Sequence, residues 1–297
     1  MPSRDLILTT LHRVRFETAA AFFISLRRTG YSGRIVVFAS ALDRESVVKL
    51  RNSGVSIVPF RFTGTLVRQR LAGLWPIWRL FFASKASSAA KERLAHAVFH
   101  LFYRRHLLYL QYLRKHGQNY DRVFLTDCRD VYFQADPYSW NPQPGIHFFL
   151  EETANKIGEC SHNTRWINSQ FGQATLKKMS AETVSCAGTT FGDVAGITEY
   201  LSQIVSLSMK ALSLREIDGD QGIHNYILRE RILRRVIVHE NRRGPVLTLG
   251  PMKMADIQLN ADRLVMNEAG QVVPVLHQYD RIPELKKILL DRLAPAS

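Results

Sequence analysis

Residues 120–138 read YDRVFLTDCRDVYFQADPY. An apolar run passes directly into two carboxylates, Asp127 and Asp130, and continues to Asp136-Pro137. In open α/β sheets, ligands bind beyond the carboxyl ends of the strands. Carboxylates at such a place can hold a hard divalent cation, which in turn binds a diphosphate. The same residues also fit a plain strand-end turn, with an Asp as cap and Arg129 paired to Asp130. On this segment alone both readings stand.

Three later segments carry further chemistry. Residues 185–192, SCAGTTFG, contain Gly188, and a glycine lets backbone approach a ligand closely, or simply makes a turn. Residues 218–222, DGDQG, lead into a helix through His224 and Asn225. Polar side chains there can touch a ligand, or an Asp can cap the orphan N–H groups of the helix. Residues 275–281, VLHQYDR, present His277, a metal ligand or a structural histidine.

In this order, over residues 6–281, the segments resemble the nucleotide-sugar transferases of the GT-A fold, and among them the glycogenin-like retaining enzymes. Those enzymes hold Mn²⁺ or Mg²⁺ and the donor diphosphate on an Asp-x-Asp motif. This chain departs by one residue, reading Asp-Cys-Arg-Asp. Aligned from the strand, Asp127 is the first motif acid; aligned back from Asp136-Pro137, Asp130 is the second and Cys128 stands where the first should be. The resemblance implies that Asp130 and His277 hold the cation, with Asp127 as third ligand or ribose contact. It implies that Gly188 and Thr189 line the sugar pocket and that Asp220 and Gln221 touch the transferred sugar as catalytic residues. Arg105 would face the donor, and Thr9 and Thr10 would offer hydroxyls to the base and ribose. The activity implied is metal-dependent hexosyl transfer from a nucleotide-diphosphate sugar, with retention. The acceptor would be a glycan, a lipid-linked sugar or a protein, in surface polysaccharide or glycoconjugate synthesis. An inverting enzyme would need a general base, for which Asp218, Asp220, Glu151 and Glu152 are available.

The elements that must position these residues follow from periodicity. Strands are expected at residues 6–10, 35–39, 55–60, 123–126, 147–150 and 236–238. Helices are expected at residues 18–28, 44–51, 196–209 and 221–231, with residues 186–191 a strand or tight turn. Strands alternating with helices predict an α/β, GT-A-like (Rossmann-like), mostly parallel sheet flanked by helices. One domain over residues 1–297 is expected, with a basic helical insertion at 62–117 and a C-terminal extension at 262–297.

The insertion is aromatic and basic, with Glu92 its one acid. It reads either as an amphipathic surface on anionic membrane, with Trp75, Trp78, Phe81 and Phe82 entering the interface, or as packing helices with solvated cationic faces. Leu107, Leu110 and Leu113 suit a core stripe. No stretch reaches the roughly 18 uninterrupted apolar residues of a spanning helix, and the opening lacks the apolar core of a signal peptide. A cytoplasmic protein, peripheral on the inner face of the membrane, is therefore expected.

Composition bounds the rest. The chain has 297 residues, 46% hydrophobic and 22% charged, which excludes wholesale disorder. Its net charge of +14 favours anionic partners without choosing among nucleotides, nucleic acid and membrane. Three well-separated cysteines, Cys128, Cys160 and Cys186, predict neither a disulfide scaffold nor a structural zinc site. A nucleic-acid-binding protein is the alternative that the charge raises, but no reading module is visible and no nucleic acid is expected. A metal-dependent phosphoryl-transfer or hydrolytic enzyme would share the carboxylates without needing the Asp-Gln helix. The residue inserted in the motif also admits a transferase-like domain without activity.

Overall fold

The computed structural model describes residues 4–62, 75–211 and 219–294. Asp218, residues 63–74 of the basic segment and the side chain of Trp75 lie outside the described residues.

The first half of the main sheet forms as the apolar runs dictate. Strand β1 (Asp5–His12) buries Leu6, Ile7 and Leu8 completely, the mark of a parallel strand covered on both faces. Helix α1 (Phe16–Arg28) turns Ala19, Phe22, Phe23 and Leu26 inward. After β2 (Arg34–Ser40), Asp43 caps α2 (Arg44–Asn52) by accepting from the Ser46 N–H at 2.7 Å, and β3 (Ser56–Pro59) follows. Helices α3 (Trp75–Ala83), α4 (Ser88–Val98) and α5 (Leu101–His116) then lead back to β4 (Arg122–Thr126), which lies parallel to β1 on its other side.

The next elements are β5 (Val131–Phe133), β6 (Ile146–Leu150), α6 (Ser161–Phe171), α7 (Gln173–Met179) and β7 (Ser185–Asp193). Helices α8 (Val194–Ala211) and α9 (Asp220–Arg229) precede β8 (Val236–His239). The seven-stranded sheet has the order β3-β2-β1-β4-β7-β6-β8, with β7 antiparallel to both neighbours and the other pairs parallel. The fold is thus α/β, with a mostly parallel mixed sheet flanked by helices and compatible with a Rossmann-like arrangement. One face is covered by α1 and α2, the other by α5, α8 and α9.

A second, three-stranded sheet was not anticipated. It has the order β5-β12-β9, from β9 (Val246–Thr248) and β12 (Val275–His277), and packs with α10 (Pro283–Asp291) around Leu247, Leu276, Leu285 and Leu289. A hairpin of β10 (Gln258–Leu259) and β11 (Val265–Met266) completes this end.

The basic segment packs inward. Tyr103, Leu107, Leu110 and Leu113 of α5 form the expected core stripe. Of the aromatic residues expected to enter a membrane, Phe82 is only 4% exposed, and Trp78 and Phe81 are partly buried against the same core. Ile77 and Leu80 of α3 are exposed. Among the described residues, no helix is long and apolar enough to cross a membrane.

Candidate metal centre

The two sheets meet at Asp127–Asp130. Strand β4 ends at Thr126, which pairs with Thr189 of β7, so Asp127 emerges opposite Gly188 and its N–H donates to the Gly188 carbonyl at 2.8 Å. Four residues after Asp127 the chain enters β5 of the second sheet, whose Val131 pairs with His277 at the end of β12. Residues 127–130 thus make the passage between the two sheets. Cys128 turns into the core under α1 and is 3% exposed, Arg129 faces solvent, and the flanking acids both turn to the same site.

Asp127, Asp130 and His277 each bring one ligand atom to within 4.8 Å of the others. His277 Nε2 lies 3.9 Å from Asp127 Oδ2 and 3.9 Å from Asp130 Oδ1, too far for hydrogen bonds, and is buried without a hydrogen-bond partner among the described residues. Behind the ring, Nδ1 lies 3.4 Å from Cys186 Sγ. In the tautomer with the proton on Nδ1, the Nε2 lone pair faces the two carboxylates, which is the arrangement of a metal-ligating histidine. Burial pushes the Asp130 carboxyl above the ordinary carboxylate range; His277 opposes this, while Asp127 and Asp280 add to it. A cation would relieve the same desolvation and repulsion. Two carboxylates, an orphaned imidazole nitrogen and partial access through Asp127, whose side chain is 35% exposed, therefore fit a divalent ion.

Gly188 makes the cluster possible. A Cβ there would lie 2.5 Å from His277 Cε1, 2.6 Å from Nε2 and 2.7 Å from Asp127 Oδ2. Any side chain at this point on β7 would occupy the centre itself.

Arg105 stands behind Asp127. Its guanidinium bonds to Asp127 Oδ1 and to Asp220 Oδ2, the latter at 2.7 Å, leaving Asp127 Oδ2 turned toward His277. His106 Nε2 lies 3.2 Å from the same Asp220 oxygen. Burial works to raise the Asp220 carboxyl, but the Arg105 guanidinium and His106 outweigh it and hold Asp220 below the ordinary range. Asp220 is thus an ionised, 4%-exposed anchor at the start of α9.

Asp220 sits against Arg105 and His106, and Arg105 is engaged by two carboxylates. Thr9 and Thr189 are fully buried within central strands, so their hydroxyls cannot reach a nucleotide or sugar. Thr10 is only partly enclosed, but its Oγ1 is 2.7 Å from Tyr109 OH on α5. Gln221 does approach the centre: its Oε1 faces Cys186 Sγ at 3.8 Å and the Ala187 N–H at 3.5 Å. Cys186 thereby links Gln221 to His277, a role no spacing in the sequence announced.

Beyond His277, Gln278 adopts a left-handed backbone (φ 57°) that ends β12. It lines a cavity of about 470 Å³ with Glu151, Glu152, Asn155, Gly250 and Arg281. Glu151 is 7% exposed, and Asn155 Nδ2 donates to its Oε2 at 2.5 Å. Burial pushes this carboxyl up, opposed by Asn155 and His277. Of the four acids weighed as bases, Glu151 and Glu152 line this cavity and Asp220 does not. No protein-family model matches the chain, and no curated protein matches it either.

Proposed function

We propose that the chain is a metal-dependent glycosyltransferase of GT-A type, which takes a hexosyl group from a nucleotide-diphosphate sugar. The observation that carries this reading is the convergence of Asp127, Asp130 and His277 at the carboxyl end of β4, beside Gly188. These three residues would hold Mn²⁺ or Mg²⁺; an imidazole among the ligands favours Mn²⁺. When bound, such an ion neutralises charge on a leaving diphosphate.

The chain's own residues supply the remaining functions. Arg105 fixes the Asp127 carboxylate by holding one oxygen, so that the other is presented to the centre. Asp220 fixes Arg105 in turn. Cys186 orients His277, and Gln221 braces Cys186. The cavity beside His277 suits a hydroxyl-bearing acceptor, with the Glu151 carboxylate accepting a hydrogen bond from the reacting hydroxyl. The order of the motifs supports retention. The acceptor belongs to a glycan, lipid-linked sugar or protein, and the setting is the cytoplasm or its membrane face.

The test is a thermal-shift panel of nucleoside diphosphates with and without Mn²⁺, followed by donor turnover. A ligand that binds only the folded state raises the melting temperature by mass action. The expected result is a shift with a diphosphate plus Mn²⁺ that neither gives alone, and release of nucleotide diphosphate from a nucleotide sugar. Shifts with oligonucleotides alone, or hydrolysis of phosphate esters without sugar transfer, would overturn the proposal in favour of the nucleic-acid or phosphoryl-transfer alternatives.

A further inference from the structure

The main sheet ends on β8, whose outer edge pairs with no strand among the described residues. The Ile146 N–H of β6 donates to the Arg235 carbonyl at 2.9 Å, and Ile146 stands in register with Val236. In a parallel pair the residues flanking the register partner turn their main-chain groups to the neighbour. Arg235 and Ile237 therefore face β6, while the N–H and C=O groups of Val236 and Val238 point away from the sheet. Val238 is 44% exposed.

Val236 and Val238 also line a cavity of about 590 Å³, whose floor continues through Met179 and Leu228. Its rim is cationic. Lys178 is paired with Glu230 at 2.8 Å, and Arg229 with Glu182 at 2.9 Å, so both rim carboxylates are engaged. Arg231 and Arg234 are exposed and have no ion-pair partner among the described residues. A groove with apolar residues at its floor and charged residues at its rim, a strand edge unpaired among the described residues, and two guanidinium groups without an ion-pair partner there thus coincide, remote in sequence from Asp127 and Asp130.

We infer that the outer edge of β8 docks an extended acidic peptide segment, which adds to the sheet as a further strand. Main-chain hydrogen bonds to Val236 and Val238 would supply affinity, alternate apolar side chains would fill the groove, and acidic residues would meet Arg231 and Arg234. The same cations disfavour self-pairing. Two copies joined edge to edge would bring like charges together, a device by which exposed edges avoid aggregation. This inference is independent of the metal centre.

The test uses the full chain and three fluorescent peptides: one alternating valine and glutamate, one alternating valine and lysine, and the acidic one N-methylated along one edge. Anisotropy should show binding of the acidic peptide only, weakened by salt. N-methylation, which removes donors without changing charge, should weaken it by about tenfold or more. The double variant Arg231→Glu/Arg234→Glu should keep the melting temperature of the parent and reverse the preference toward the lysine peptide. Equal binding of acidic and basic peptides, absence of binding, or indifference to N-methylation would each overturn the inference. So would sedimentation showing that the chain dimerises through this edge.

Discussion

At the scale of the residue, one missing atom decides whether the centre can exist. Gly188→Ala would place a methyl group against both His277 and Asp127. Overpacking of this kind costs about 1–3 kcal/mol of stability, and here the displaced groups are the ligands. The expected outcome is a modestly lower melting temperature with loss of Mn²⁺ binding by calorimetry; a variant that keeps the parent's affinity would show that the ion sits elsewhere. Asp130→Asn removes a ligand charge and should weaken Mn²⁺ more than Cys186→Ala, which only releases the back of the His277 ring and should cost roughly tenfold. The reverse ranking would assign the ion to another site. The identities of Asp127, Asp130 and His277 were legible in the sequence because carboxylates after an apolar run and a late histidine stand out by type. The fates of Thr9 and Thr189 were not. A hydroxyl in a strand looks the same whether the strand is central or open, and only the neighbouring strands enclose it.

At the scale of the element, the site depends on how β4, β7, α5 and α9 are fastened together. Asn225 does this for α9: its Oδ1 accepts from the Ser185 N–H at 2.8 Å and its Nδ2 donates to the Ser185 carbonyl at 2.9 Å, so a side-chain amide continues the pairing of β7. Asp220 does it for α5, through Arg105 and His106. Asp220→Asn would leave a buried guanidinium without its second carboxylate. Removing one partner of a buried pair costs about 3–5 kcal/mol. A large fall in melting temperature is therefore expected, together with weaker Mn²⁺ binding through the loosened Arg105–Asp127 contact. A loss of sugar transfer at unchanged stability would instead return Asp220 to direct contact with the sugar. The main-sheet strands β1, β2, β4 and β6 could be read from their apolar runs, and α2 as a helix over residues 44–51, without its Asp43 cap. The second sheet could not, because strands of three residues carry too little periodicity, and β5 finds its partner β12 only at the far end of the chain. The segment after β4 therefore looked like a loop, although it is the bridge that turns Asp130 toward His277.

At the scale of the whole molecule, the chain combines an excess of surface cations with histidines enclosed in a neutral state. His224 is fully buried between Ser185 Oγ at 2.9 Å and Tyr200 OH at 2.8 Å, and burial pushes its imidazole down to about 3. His239 stacks beside His147, with ring nitrogens 2.9 Å apart; burial, then the neighbouring His147, push it down to about 4. In the unfolded chain both rings titrate near the ordinary histidine value of 6.5. Below that pH the unfolded state binds protons that the folded state refuses. Stability is consequently full above pH 6.5 and falls as the solution is acidified toward the folded values. Each such group contributes a slope of about 1.4 kcal/mol per pH unit inside this window. Asp130 and Glu151, raised by burial, act in the opposite sense, so the total slope mixes both signs. A difference between variants isolates the histidine contribution. His239→Gln keeps a polar side chain beside His147 but cannot titrate. Denaturant unfolding of the metal-free parent and variant at several pH values between 4 and 6.5 should give a shallower loss of stability in the variant, by up to one proton's worth. Parallel curves for the two proteins would mean that His239 takes up its proton equally in the folded and unfolded states, and that the stacked pair is open to water.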